Sequence, residues 1–280
     1  MATAPASLPY TAGLLVMDIG NHRTGAAIVP PGDGQSPSAV HYAPTREPEV
    51  LLRILGELWA ELPADRPRRV AAASVVPEAT SQLRPLIRER LGASPLIIRE
   101  DLPLPIDLSV ENPETVGTDR VCAAAAAYAT LGHACVVADF GTAITIDVVS
   151  DDGLLLGGAI LPGLRMSAQA LHEHTASLPQ VEPTRPVGVW GRNTVEAINV
   201  GLYGAAAGAL REVVERYANE MGKWPDLIVT GGGATEIAGY CDFVDRVVPG
   251  LVLQGVALSY RLAARDAAPR PPAGPRPTDN

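Results

Sequence analysis

Two short stretches of the sequence decide its fold: VMDIGN at residues 16–21 and VADFGT at residues 137–142. Each is an apolar run that ends in an aspartate, turns at a glycine and leads into a second apolar run. Each therefore predicts two strands joined by a tight turn. The aspartates, Asp18 and Asp139, lie 121 residues apart. Two unrelated hairpins are the alternative, but the same context repeated one domain apart favours a duplicated α/β core.

Strands and helices alternate on either side of these turns. Apolar residues at helical spacing predict helices at 49–62, 78–91, 119–131, 163–174, 194–221 and 233–240. Short apolar runs predict strands at 14–18, 26–29, 69–76, 96–99, 134–139, 145–149, 154–160 and 227–230. This order predicts two α/β domains, an N-terminal one at 12–118 and a C-terminal one at 119–265. Residues 1–11 are expected to be flexible, and the proline-rich residues 266–280 are expected to form a disordered tail.

The composition excludes several classes of protein. The 280 residues carry a net charge of −9, which argues against a nucleic-acid partner that would need a basic face. Three widely spaced cysteines indicate neither a disulfide framework nor a zinc site. No apolar run approaches the roughly 20 residues that span a bilayer, and the start shows no signal peptide. We therefore expect a soluble, cytoplasmic protein with no membrane partner.

The two glycine turns have the chemistry of phosphate-binding loops. A glycine lets the backbone approach a ligand, and the residues after it offer amides and side-chain donors to phosphate oxygens. Asp18 and Asp139 would repel a bare phosphate, so a cation is expected beside them. A third glycine cluster, at 231–233, follows a predicted strand and opens a helix, although such a cluster alone is often just a turn. Together these turns predict the ribonuclease H-like nucleotide-binding fold of actin, hexokinase and Hsp70.

Asp119 has two interpretations. It stands where the alanine-rich helix begins, and aspartate is a good N-cap residue. Alternatively, a helix N-terminus lowers the pKa of a carboxylate, and an ionised carboxylate in a cleft can take a proton from an attacking hydroxyl. In that case the neighbouring Arg120 would hold an anion.

In order and spacing, the motifs resemble those of the type III pantothenate kinases, from Leu14 to Arg261. The matching segments are DIGN (18–21), SVVP (74–77), NP (112–113), VGTDR (116–120), DFGTA (139–143), GGAI (157–160), PG (162–163), TASLP (175–179), GRNT (191–194) and TGG (230–232). The resemblance implies ATP-dependent phosphorylation of pantothenate to 4'-phosphopantothenate, the first step of coenzyme A biosynthesis. It also implies a homodimer that uses Mg²⁺ and a monovalent cation, K⁺ or NH₄⁺.

The same resemblance implies a role for individual residues. Asp119 would be the catalytic proton acceptor. The substrate-binding residues would be Gly117, Thr118, Asp119, Arg120 and Thr194. The nucleotide-binding residues would be Asp18, Ile19, Gly20, Asn21, His22, Arg23, Thr24, Gly25 and Thr142. Asp139 would bind the monovalent cation, and Asp18 would hold Mg²⁺ through the nucleotide.

The sequence departs from the family pattern at three places. His22-Arg23 follows Asn21 where the family has a threonine or serine, Ile144 replaces a threonine, and Val110 stands near the position of a tyrosine. The first departure removes a hydroxyl donor, and we expect the Arg23 guanidinium to replace it as a phosphate contact.

Two other functions fit the same fold. One is a kinase for another small molecule, such as a sugar, which would carry a different motif at 112–120. The other is a non-catalytic regulatory or accessory protein that keeps the fold. Asp119 favours the enzyme, because a protein that only binds a nucleotide needs no base there.

Overall fold

A computed structural model of the chain describes residues 8–32 and 36–267, and in this part the strands form two sheets. The first sheet holds β1 (Gly13–Ile19), β2 (Arg23–Val29), β3 (His41–Pro44), β4 (Arg68–Ser74) and β5 (Pro95–Ile97), in the order β3-β2-β1-β4-β5. The second holds β6 (Asp107–Leu108), β7 (Cys135–Phe140), β8 (Ala143–Val149), β9 (Leu154–Pro162), β10 (Asp226–Thr230) and β11 (Arg246–Val247), in the order β11-β10-β7-β8-β9-β6.

The helices in the described part of the chain are α1 (Pro48–Glu61), α2 (Pro77–Leu91), α3 (Thr118–Leu131), α4 (Leu164–Glu173), α5 (Thr194–Met221), α6 (Ala234–Ala238) and α7 (Leu251–Asp266). A 3₁₀ turn at Pro113–Thr115 precedes α3. None of these helices is long and apolar enough to cross a membrane.

The predicted duplication is confirmed by the strand pairing. β1 forms an antiparallel hairpin with β2 and pairs in parallel with β4. β7 does the same with β8 and β10. Read from the hairpin side, the order β3-β2-β1-β4-β5 recurs as β9-β8-β7-β10-β11. Asp18 and Asp139 therefore occupy equivalent strands.

A shared core lies between the two sheets and contains α3 and α7. It joins Val16 of β1 and Val137 of β7 to Cys122 of α3 and Val256 of α7. The alanines of α3 allow close packing, and a Cβ at Gly255 of α7 would collide with the backbone of α3 at Cys122. Separate clusters pack α1 and α2 on the outer face of the first sheet, and α5 and α6 on that of the second. This arrangement directs the ends of β1 and β7 towards the start of α3.

The structure differs from the sequence-based expectation at several elements. The sequence-based expectation assigned no element to the residues of α7 or of the short strands β3, β6 and β11. At the N-terminus, Leu8 is buried, and the Tyr260 hydroxyl donates to the Pro9 carbonyl at 3.1 Å. The predicted flexible end therefore packs onto the protein from Leu8 onwards. Residues 1–7 and 268–280 lie outside the described residues.

The division into domains at residues 118 and 119 remains a prediction. Two features of the structure bear on it. β6 precedes residue 118, yet it pairs with β9 of the second sheet. α7 belongs to the second half of the chain, yet it packs against β1 and β4 of the first sheet.

Candidate active site

Three aspartates converge where β1, β7 and α3 meet. Burial and the negative charges of Asp119 and Asp139 raise the pKa of Asp18 to about 8. Burial and the charge of Asp119 raise the pKa of Asp139 to about 6. The three carboxylates therefore lie within range of one another's charge, and we call these three residues the acidic cluster. This cluster is the candidate active site.

The two predicted phosphate loops touch each other beside this cluster. Nδ1 of His22, in the first loop, lies 3.1 Å from the hydroxyl oxygen of Thr142 in the second. The histidine that replaces the family's hydroxyl residue thus makes a polar contact across the cleft.

Arg23 also reaches across the cleft. Its guanidinium carbon lies 4.3 Å from the centre of the Tyr42 ring, within cation–π range. A Cβ at Gly232 would lie 2.7 Å from both terminal nitrogens of Arg23, so the guanidinium rests against the third glycine turn. Its positive charge lowers the pKa of both Asp18 and Asp139. Arg23 therefore connects the first glycine turn, in which it lies, to the third.

Buried residues of the first loop hold its turn in place through hydrogen bonds. Ile19 and Thr24 are buried, and the Thr24 hydroxyl is 3.1 Å from that of Thr45. The Thr45 hydroxyl donates to the Gly20 carbonyl at 2.7 Å. Any nucleotide contact by Ile19 or Thr24 must therefore come through the backbone, whereas Asn21, His22 and Arg23 have exposed side chains.

The segment before α3 is tied to the first sheet. The Thr118 hydroxyl donates to the Ser74 carbonyl at 2.9 Å and accepts from the Ser74 amide at 3.1 Å. The N-cap position belongs to Gly117 and not to Asp119, which corrects the first interpretation of that aspartate. Asp119 lies in the first turn, and its Oδ1 accepts from the Arg120 amide at 2.8 Å.

The pKa of Asp119 is raised, which also differs from the expectation. The Arg120 amide and the Arg120 charge both lower it, as a helix start should, but burial raises it by more. The raised pKa of Asp119 lies closer to the operating pH, and a general base is most effective when its pKa is near that pH.

Sequence reasoning missed Asp147 of β8. Its side chain is only 2% exposed and forms a salt bridge with Arg120, whose side chain is 15% exposed. Nε of Arg120 lies 3.0 Å from Oδ1 and 3.2 Å from Oδ2 of Asp147, and Nη2 also donates to Oδ1. A lone aspartate inside the apolar run AITIDVV (143–149) was the available signal.

Arg99 was also missed. Its backbone has a φ of 76°, a left-handed conformation that is costly for a residue with a Cβ. Nη2 of Arg99 donates to the Pro113 carbonyl at 2.6 Å and to the Val116 carbonyl at 2.9 Å. The side chain thereby anchors the segment that leads into Gly117 and Asp119. No pattern in the sequence indicates this.

The remaining predicted positions lie elsewhere. Thr194 is exposed at the first position of α5, which is capped by Asn193. Ile144 is 3% exposed and packs in the outer core of the second sheet, so this departure removes no hydroxyl from the cleft. The Val110 side chain lies 3.9 Å from where a Cβ of Gly157 would stand. Val110 thus adjoins β9 one residue before Gly158, the register partner of Asp147.

The donors of the acidic cluster fit hard cations bound together with a nucleotide. Carboxylate oxygens are suitable ligands for Mg²⁺ and for a monovalent cation. Among the described residues, no group of three or more His, Cys, Asp or Glu side chains could hold a metal ion. Phosphate oxygens and water would complete the coordination, as is usual for Mg²⁺ in kinases.

The duplicated sheets and the three glycine turns define a class of protein, the actin/hexokinase/Hsp70-like nucleotide-binding fold. Two solved structures share the fold. One, described as a putative Baf family transcriptional activator from Campylobacter jejuni, has a TM-score of 0.54 at 19% identity and covers 86% of this chain and 94% of its own. The other is a 2-hydroxyisocaproyl-CoA dehydratase activator from Clostridium difficile with bound ADPNP. Its TM-score is 0.51 at 12% identity, and the aligned region covers 91% of this chain and 95% of the activator chain.

Sequence comparisons narrow the class to one family. The model of the type III pantothenate kinases matches residues 14–216. A type III pantothenate kinase from Dehalococcoides mccartyi is 39% identical over 194 residues, which are 69% of this chain and 75% of the relative. One from Syntrophotalea carbinolica is 36% identical over 253 residues, which are 88% of this chain and 98% of the relative. The chain belongs to the type III pantothenate kinase family, so the predicted fold and family are both confirmed.

Proposed function

We propose that the acidic cluster transfers the γ-phosphoryl group of ATP to the primary hydroxyl of pantothenate, giving 4'-phosphopantothenate for coenzyme A biosynthesis. Family membership supports the activity, a phosphotransferase reaction with an alcohol acceptor. The observation that carries it in the structure is that the two predicted phosphate loops meet at the 3.1 Å contact between His22 and Thr142, beside Asp18, Asp119 and Asp139, whose charges act on one another.

Asp119 takes the proton of the pantothenate hydroxyl in this proposal. Its carboxylate sits at the start of α3, and a Cβ at Gly117 would lie 2.5 Å from its Oδ1. Only glycine leaves room for that position. Arg120 follows on the same helical turn and is the proposed partner of the pantothenate carboxylate. Gly117 and Thr118 set the position of both side chains.

The nucleotide lies along the first and second loops. Asn21, His22 and Arg23 of the first loop and Thr142 of the second would contact it, with the backbone of residues 18–25 around the phosphates. Mg²⁺ near Asp18 would neutralise the charge that develops on the phosphates, and a monovalent cation, K⁺ or NH₄⁺, would do the same at Asp139. Closure of the cleft would keep water away from the reacting phosphate.

No finding favours either alternative function. The described Baf family protein is only 19% identical to this chain, which supports a shared fold and nothing more. A sugar kinase would not be expected to carry the segment from Asn112 to Arg120.

We also propose that the enzyme is a cytoplasmic homodimer. Large apolar side chains are exposed on β9, on α4, on the segment before α5 and on the first turn of α5. They are Leu156, Ile160, Met166, Leu171, Val187, Val189, Trp190 and Val195. Ile160 is 64% and Trp190 70% exposed, and large exposed apolar areas are typical of contact surfaces between proteins. Thr194 begins α5 in this exposed apolar region, so its proposed substrate contact and the proposed dimer are best tested together. Light scattering measures the oligomeric state, and pantothenate kinetics measure the substrate contact.

The substitution Asp119→Asn tests the proposed base. We expect turnover to fall about 10²- to 10⁴-fold, the usual cost of removing a general base. The melting temperature should stay close to the wild-type value, because Gly117 and not Asp119 occupies the N-cap position. ADP release in a coupled assay gives the turnover, and fluorescent-nucleotide titration gives ATP affinity. Turnover near the wild-type rate would show that Asp119 is not the base.

A further inference from the structure

We propose that Asp147 is a positioning residue for the substrate: it fixes Arg120 so that one free guanidinium nitrogen faces the carboxylate of pantothenate. This inference deepens the proposed function and rests on it, since it takes Arg120 to be the partner of that carboxylate.

The geometry of the pair leaves one side of the guanidinium free. Asp147 receives hydrogen bonds from Nε and Nη2 of Arg120, the two nitrogens along one edge of the group. Among the hydrogen bonds of the described residues, none involves Nη1. A guanidinium held in this bidentate way cannot rotate, so Nη1 keeps a fixed direction.

The backbone of Arg120 is fixed as well. Its amide donates to Oδ1 of Asp119 at 2.8 Å. The proposed base therefore holds Arg120 at the backbone while Asp147 holds it at the side chain. A substrate carboxylate on Nη1 and a substrate hydroxyl at Asp119 would then be recognised by a single rigid unit.

The sheet is built to accommodate Asp147. Gly158 of β9 is its direct register partner, and a Cβ at Gly158 would collide with Oδ1 of Asp147 and with the Ile146 carbonyl. Ile146, the neighbour of Asp147 on β8, accepts a hydrogen bond at its carbonyl from the Tyr217 hydroxyl of α5 at 3.1 Å. Any side chain at position 158 would push the carboxylate out of its place beside Arg120.

A purely structural salt bridge is the competing explanation. Burial raises the pKa of Asp147, and the hydrogen bonds from Arg120 oppose this rise. Removing one partner of a buried ion pair costs stability whatever the role of the pair, so stability cannot separate the two explanations. Kinetics can, because a positioning role affects pantothenate only and acts only through Arg120.

The test is a double-mutant cycle that compares Asp147→Asn in the wild-type background and in Arg120→Met. In the wild-type background we expect Asp147→Asn to raise the pantothenate KM about ten-fold or more, with the ATP KM within two-fold. In the Arg120→Met background, the same change should leave kcat/KM for pantothenate within two-fold. Lys223→Met is the matched control, because it removes an exposed ion pair with Asp151 and should not change the pantothenate KM.

Two results would overturn the inference: an unchanged pantothenate KM in Asp147→Asn, or the same fold loss in both backgrounds. If Asp147→Asn does not fold, Arg120→Lys replaces it, since lysine keeps the charge but cannot hold Asp147 with two nitrogens and also reach the substrate. An unchanged pantothenate KM in Arg120→Lys would likewise contradict the inference. A wild-type enzyme that does not phosphorylate pantothenate would instead refute the proposed function.

Discussion

Arg23 offers a sharp test of how the cleft binds ATP. The perturbation is Arg23→Ala, which removes a guanidinium that lies against Tyr42 and Gly232 and whose charge acts on Asp18 and Asp139. A charge-assisted hydrogen bond to a phosphate contributes about 1.5–3 kcal/mol. Since about 1.4 kcal/mol corresponds to a factor of ten, we expect the ATP KM to rise about ten-fold or more.

Tyr42 should have a smaller effect, because it only holds Arg23. The stacking contact at 4.3 Å contributes about 0.5–1 kcal/mol at an exposed site, so Tyr42→Leu should raise the ATP KM roughly two- to five-fold. In Arg23→Ala, the further change His22→Thr should recover part of the loss, because it restores a hydroxyl donor to the loop. Arg53→Ala is the control, since Arg53 is exposed and pairs with Glu57 on α1.

Steady-state kinetics of ADP release, with ATP and pantothenate varied in turn, give both KM values. Because Arg23 is proposed to contact only the nucleotide, the pantothenate KM of Arg23→Ala should stay within about two-fold of wild type. An unchanged ATP KM in this variant would refute the phosphate contact and would mean that Arg23 points to solvent when the nucleotide binds.

Three further predictions concern cations, pH and the substrate segment. Asp139→Ala should abolish the activation by K⁺, and a wild-type enzyme equally active with only a large organic cation would contradict the assignment. The pKa of Asp18 rises from 3.8 to about 8 on folding, so its ionised form destabilises the metal-free protein increasingly as the pH climbs through that range. In scanning fluorimetry with EDTA, the melting temperature of Asp18→Asn should therefore lie several degrees above that of wild type at pH 8. The difference should be smaller at pH 5. A variant that melts at or below the wild-type temperature at pH 8 would exclude the raised pKa of Asp18. Arg99→Gly relieves the left-handed backbone but frees residues 113–118, so hydrogen exchange there should accelerate and the pantothenate KM should rise roughly two- to five-fold. The control Arg84→Ala, which removes a neighbouring ion pair with Glu100, should change neither the hydrogen exchange nor the pantothenate KM. Unaltered exchange in Arg99→Gly would argue that Arg99 does not anchor residues 113–118.

The sequence predicted the parts of the fold that depend on local patterns. The repeated turns at Asp18 and Asp139 gave the two hairpins, and helical spacing gave α5 with the same bounds that the structure shows. α7 was not predicted, although its buried residues Leu251, Gly255, Ser259 and Tyr260 recur at helical spacing. The family and its activity were predicted from motifs, and the comparisons confirm both.

The missed site residues depend on tertiary contacts. Asp147 stands out as a lone aspartate in an apolar run, but only the fold brings it to its partner Arg120, 27 residues earlier. Arg99 lies 14 residues before the carbonyl of Pro113 that it holds. The expected lowering of the pKa of Asp119 was wrong for a similar reason, because local helix geometry predicts a decrease and burial in the assembled cleft outweighs it.

The central claim is that this cleft phosphorylates pantothenate with ATP, and one measurement addresses it directly. The purified full-length chain is incubated with ATP, Mg²⁺ and K⁺ and with either pantothenate or a panel of sugars, and ADP release is followed in a coupled assay. The account predicts ADP release that depends on pantothenate, stays at background with every sugar and disappears in Asp119→Asn. Turnover with a sugar but not with pantothenate, or no turnover with any acceptor, would contradict it.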